Sequence, residues 1–178
     1  MSDSKKLPNV KMVQRRIAYS SIGPSTLRNQ GAAKVAFVAQ NFLMGINLGC
    51  FAQVRSSEEY LRILDKLTIE LSGQFPDKAK NNWGAARKAL NVFMEEAIYN
   101  KFLNIEYNLD KLTPFLEVPV DSYVVKNLKQ ESKNRIPAWK GIKHLTLKDN
   151  DQWQKIASEV ARKRSIYRVY LDIEFWRS

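Results

Sequence analysis

Apolar residues recur at intervals of three and four along most of this 178-residue chain. That spacing constrains the fold more than any other feature, because it gives each segment one apolar stripe for a neighbouring helix to cover. Val35, Val38, Ala39, Phe42, Leu43 and Ile46 form such a stripe and predict a helix from about Ala32 to Asn47. Ser56 with Glu59 is a capping-box pair. It opens a second helix with Leu61, Leu64, Leu67, Thr68 and Leu71 on one face, ending near Gly73, where a left-handed cap suits glycine. The polar stretch Gln74 to Asn82 contains Pro76 and reads as a loop.

A longer helix is expected from Trp83 to about Leu103, with Ala86, Leu90, Phe93, Met94, Ala97 and Ile98 at helical spacing. Another runs from Val120 to about Glu131, bringing Val124, Val125 and Leu128 inward, and residues 132–148 form a connector with Pro137 and Gly141. Asp149 with Gln152 resembles a further capping pair, for a helix reaching about Lys163. The last segment is ambiguous. Tyr167, Val169, Leu171, Ile173 and Phe175 alternate with more polar residues, as in a half-buried strand. No partner strand is evident, and a lone strand leaves its backbone groups unpaired, so a C-terminal helix is favoured. The reading is therefore all-α: residues 1–20 as a basic N-terminal arm and residues 21–178 as a single compact domain of about eight helices.

Charge narrows the partners. The chain carries 29 Lys plus Arg against 18 Asp plus Glu, a formal net charge of +11. The excess lies at the ends: net +6 over residues 1–34, zero over 35–100, +1 over 101–135 and +4 over 136–178. A neutral middle suits a packed core with a salt-bridged surface, and basic ends suit phosphate, which points to nucleic acid and most simply double-stranded DNA. One cysteine, Cys50, excludes an internal disulfide and a Cys-rich metal site. Its apolar neighbours suggest a buried, inert thiol. One histidine, His144, leaves little from which to build a zinc site or a Ser-His-Asp triad. No metal site and no cofactor are expected. No apolar run reaches the length of a membrane span, and the N-terminus lacks the apolar core of a signal peptide, so a cytoplasmic protein without a membrane partner is expected. The oligomeric state is not legible.

The segment Trp83-Gly84-Ala85-Ala86-Arg87-Lys88-Ala89-Leu90-Asn91-Val92 resembles the second helix of the hairpin in helix-hairpin-helix DNA glycosylases of the endonuclease III type. Val118-Pro119-Val120-Asp121 resembles the apolar stretch ending in Val-Asp that follows in that family, and Leu171 to Trp176 resembles its late helix. The resemblance implies a glycosylase-like helical fold, with Lys88 as the amine nucleophile, Asp121 as the catalytic carboxylate and residues around Asn82 to Ala86, Gly84 among them, gripping DNA. The residue types suit the chemistry. A deprotonated lysine amine attacks the sugar carbon, a carboxylate assists proton movement and faces the developing positive charge, and the target base first leaves the stack. The sequence departs from the family in a glycine-poor hairpin turn, in a 33-residue gap from Lys88 to Asp121 that makes residues 101–116 an insertion, and in having no cysteines for an iron–sulfur cluster.

Other basic residues are candidate nucleic-acid contacts. Arg28 and Gln30 follow the turn at Gly23-Pro24-Ser25-Thr26, Arg87 adjoins Lys88, and Arg162, Lys163, Arg164 and Arg168 form the densest cluster, with Tyr167 and Tyr170 available for stacking. Each has a plainer reading as a polar helical turn or a solvated helix end. Trp83, Trp139, Trp153 and Trp176 are expected to pack as core or as wedges between helices. Three other functions compete with base excision: a nucleic-acid binder without catalysis, a module docking its basic ends on an acidic protein, and a nuclease whose Asp172 and Glu174 hold a metal on a C-terminal strand.

Overall fold

The helix that opens at Trp83 is the axle of the molecule. In the computed structural model, which describes residues 8–132 and 136–176, this helix (α4, Trp83–Tyr99) has 13 buried residues out of 17. A helix buried on so many sides has neighbours all round it. They are α1 (Val10–Ser21), α2 (Val35–Gly45), α3 (Ser57–Gln74) and α5 (Lys101–Tyr107). Together these five build one apolar core, whose fully buried members include Leu43, Tyr60, Leu64, Leu90 and Phe93. A second core is built by α6 (Ser122–Glu131), α7 (Leu147–Lys163) and α8 (Leu171–Phe175) around Trp153. The described residues contain helices, short 3-10 turns and no strand.

Caps explain most of the boundaries. Ser56 accepts a hydrogen bond from the Glu59 amide at 3.3 Å and opens α3. The helix passes through Gly73 and ends one residue later, so that glycine is not a left-handed cap. The expected long helix from Trp83 breaks at Asn100, whose side-chain oxygen accepts from the amides of Phe102 at 3.1 Å and Leu103 at 3.2 Å and starts α5 afresh. Thr146, rather than Asp149, caps α7, accepting from the Asp149 amide at 3.2 Å while donating to the Asp149 carboxylate at 2.7 Å.

Two further expectations are corrected and one, the C-terminal helix, is borne out. The basic N-terminal arm is a docked helix from Val10 onward, because Gln14 donates from one amide to the carbonyls of Leu43 and Ile46, both at 2.9 Å, and Ala18 is fully buried; residues 1–7 of that arm, with Lys5 and Lys6, lie outside the described residues, as do 133–135 of the connector. Cys50 is exposed, on a 3-10 turn that buries its neighbour Phe51. The C-terminal segment is helical. Leu171 and Phe175, one turn apart, are buried while Ile173 between them is exposed, so the apparent alternation does not describe a sheet face. Among the described residues the metal-holding strand of the nuclease reading is therefore absent, and Glu174 instead pairs with Arg164. Among the described residues no helix is long and apolar enough to cross a membrane.

Candidate active site in the seam between the cores

The non-helical segment from Leu116 to Val120 joins the two cores and is almost wholly buried. Buried backbone without a helix needs other partners. The Gln154 side chain supplies them as a neighbouring strand would, accepting from the Val118 amide at 3.1 Å and donating to the Val118 carbonyl at 2.8 Å. One residue earlier, Glu117 is 2% exposed; it accepts from Asn91 of α4 at 2.9 Å and Asn150 of α7 at 3.0 Å, and Arg87 Nε lies 3.1 Å from it. The segment is thus clamped to both α4 and α7, and Asp121 emerges from it at a fixed place.

Asp121 divides its two oxygens. Oδ1 caps α6, accepting from the amides of Tyr123 at 2.9 Å and Val124 at 3.1 Å, an N-terminal position that favours negative charge. Oδ2 accepts from Lys88 Nζ at 3.1 Å. The lysine side chain is 10% exposed and that of the aspartate 23% exposed. Lys88 projects from the first turns of α4 into a cleft of about 580 Å³ that runs along the seam between the cores. An amine and a carboxylate, both oriented and both partly withdrawn from water, can exchange a proton, and they can attack and stabilise an electrophilic carbon placed beside them.

Comparison with protein-family models, with curated proteins and with solved structures gave no match.

The rest of the cleft combines polar and aromatic groups. Gln30 is 5% exposed; its amide donates to the Arg28 carbonyl at 2.6 Å and its oxygen accepts from Asn82 at 3.0 Å. Asp172 of α8 lines the wall shared with Lys88 and Asp121. Burial and the nearby Asp121 charge raise its carboxyl to about 6, against a lowering by Lys88. Trp139, edge-on to the buried Trp153 with ring centroids 6.4 Å apart, and Trp176, 67% exposed, add aromatic surface. The basic connector Lys140 to His144 closes one side. Its approach depends on Gly84, because a Cβ there would lie 2.2 Å from the Ile142 carbonyl oxygen and 2.7 Å from Leu145 Cβ.

The structure thus brings Lys88, Asp121, Arg28 and Gln30 to one cleft and places the other sequence candidates elsewhere. Gly84 is buried beneath the connector, and the Asn82 side chain caps α4 by accepting from the Ala85 amide at 3.0 Å. Arg87 is 1% exposed, bonded to Asp65 and to Thr68 of α3 and lying 4.8 Å from the centre of the Trp83 ring. Arg164 pairs with Glu131 and Glu174. Arg168 donates to the carbonyls of Leu116 at 3.0 Å and Phe115 at 3.1 Å. Arg162 and Lys163 are exposed and do not line the cleft. Sequence reasoning misses Lys140, Lys143 and His144 as cleft residues. It reads them as a connector, and only the long-range packing against Gly84 turns that connector towards Lys88.

Proposed function

We propose that this chain is a base-excision enzyme, a DNA glycosylase with lyase activity of the helix-hairpin-helix type, and that Lys88 is its nucleophile. The observation that carries the reading is the meeting of Lys88 and Asp121 at 3.1 Å across 33 residues of sequence, inside a cleft with aromatic and hydrogen-bonding walls. A base turned out of a duplex requires such a pocket, because it loses its stacking and pairing partners and must find others. The exposed cations Arg28, Lys140 and Lys143 on the cleft rim suit the flanking phosphates, and the net charge of +11 draws a polyanion at long range.

In this reading neutral Lys88 Nζ donates its lone pair to C1′ of the extruded nucleotide while the bond from C1′ to the base breaks. The Asp121 carboxylate faces the positive charge that develops on the sugar. The resulting adduct opens to an imine, which permits strand cleavage by elimination of the 3′ phosphate. Borohydride reduces an imine to a stable amine and so tests the step directly. Wild-type protein mixed with abasic duplex and borohydride is expected to give a covalent adduct that Lys88→Ala lacks. No adduct with wild type, or an equal adduct with Lys88→Ala, would remove the lyase reading; salt-sensitive DNA binding without an adduct would leave a nucleic-acid binder.

A further inference from the structure

The nucleophile needs somewhere to send its proton, and the departing base needs one. A lysine amine at neutral pH is an ammonium ion and must lose a proton before it attacks. When the bond from C1′ to the base breaks, its electron pair goes to the base nitrogen, which is a far better leaving group once protonated. Asp121 is within reach of the Lys88 proton, but it is poorly suited to holding that proton for the base. Its Oδ1 is committed to the α6 amides and its Oδ2 to Lys88, and its negative charge is needed opposite the sugar.

A second carboxyl stands in the same cleft. Asp172 lies on α8 and shares the cleft wall with Lys88, Asp121 and Trp176. The turn before α8 is pinned to the end of α4 by the stacked rings of Tyr99 and Tyr170, 6.5 Å apart. Behind Asp172 the same α4 face carries Glu95, seven residues beyond Lys88 and 5% exposed, with the Tyr99 hydroxyl donating to it at 3.3 Å. We propose, on the reading of Lys88 as the nucleophile, that Asp172 is a second catalytic carboxyl: it takes the proton that Lys88 sheds and hands it to the departing base.

The atoms balance within the cleft. Ammonium and carboxylate become amine and carboxylic acid; the amine nitrogen bonds to C1′; the bond to the base breaks; and the Asp172 proton goes to the base with that electron pair. Asp172 ends as a carboxylate, as it began. The groups facing it agree with this cycle. Asp121 and Glu96 raise its proton affinity and the Lys88 cation lowers it, so removing charge from Lys88 itself makes Asp172 a better proton acceptor. Glu95 faces Asp172, Glu96 and Tyr99 and is raised to about 9 by burial first and by Asp172 next, so it is neutral while Asp172 works.

The experiment separates this role from the nucleophile's. Single-turnover release of the base is measured on duplexes carrying one alkylated purine, oxidised purine, oxidised pyrimidine or uracil. Borohydride trapping is measured on a duplex with a preformed abasic site, which has no base to protonate and leaves the pocket open to water. Asp172→Asn is expected to slow base release by about 100-fold or more and to leave abasic trapping within about twofold. For wild type, base release is expected to fall at acidic pH with an apparent pKa near 6, a limb absent from abasic trapping, so the test does not depend on the variant folding. Base release by Asp172→Asn at the wild-type rate, or an equal loss of both activities, would overturn the role of Asp172. Failure of wild type to trap abasic DNA would instead take down the Lys88 reading on which it rests.

Discussion

Arg87 and Lys88 are adjacent on α4, each bonded to a carboxylate, and their surroundings are opposite. Successive residues of a helix point about 100° apart. Arg87 therefore faces α3 and the interior, while Lys88 faces the cleft. Both acids, Glu117 and Asp121, come from one segment, four residues apart, where it passes between the cores. The Arg87–Glu117 pair has side chains 2% exposed on both sides, with Asp65, Thr68, Asn91 and Asn150 completing the network. The Lys88–Asp121 pair keeps 10% and 23% exposure and opens on the cleft. A charge enclosed by partners holds a structure together. A charge with one partner and a cavity on its other side is placed to meet something else.

The largest expected effect breaks that contrast outright. Arg87→Met leaves Glu117 buried without its cation and is expected to cost about 3–5 kcal/mol of stability, read as a lower urea midpoint. Lys88→Met keeps the apolar stem and frees a partly exposed carboxylate that still caps α6, so it is expected to cost no more than about 1 kcal/mol of stability and to leave the midpoint nearly unmoved. If both substitutions destabilise equally, Lys88 is a structural residue and the division of roles along α4 fails.

How much of this contrast is legible in the sequence follows from the range of the forces involved. Apolar spacing and the capping signals are local, so helices at α2, α3, α4, α6 and α7 can be read within a few residues of their ends. The break at Asn100 is hidden because Ala97, Ile98, Phe102 and Leu103 continue an apolar series across it, although Asn is itself an N-cap residue. The docking of α1 rests on Gln14 reaching the carbonyls of α2, which periodicity does not record. Lys88 and Asp121 are named by resemblance alone, and their approach depends on Gln154 and Glu117 holding the segment between them. Arg87 is grouped wrongly with its neighbour because Arg-Lys in sequence does not say which side chain faces inward.

Glu95 offers a smaller effect with a sign that can be worked out. Burial and the facing Asp172 raise its carboxyl to about 9, above the value of about 4.3 for an unfolded chain. The stability that depends on its neutral form is therefore fully present below about pH 4.3 and is lost as pH rises towards 9. Glu95→Gln keeps a neutral side chain at every pH. Its Tm is expected to match wild type near pH 4.5 and to exceed it increasingly above pH 6, by roughly 5–10 °C at pH 9 if a few kcal/mol are at stake. A gap that closes as pH rises would mean that Glu95 is charged in the folded protein. A gap that widens with pH sharpens the comparison with Lys88 and Asp121, because α4 then carries a salt-bridged pair at one end of the cleft and a neutral acid two turns away.

The smallest effect tests the proposed function by asking which of two basic regions binds a duplex. Lys143 is exposed on the connector that walls the cleft, whereas Lys163 is exposed at the end of α7 and lies outside it. Removing one cation that binds a phosphate reduces the slope of log affinity against log salt by about 1. Lys143→Gln is expected to show that reduction on a short duplex by fluorescence anisotropy across a salt titration, and Lys163→Gln to leave the slope unchanged. Net charge changes equally in the two variants, so the difference between them removes the long-range attraction and isolates direct phosphate binding. Equal slopes would mean that the duplex is not seated over the Lys88 cleft, and the densest basic run of the sequence, at 162–168, would then have to be reconsidered as the binding face.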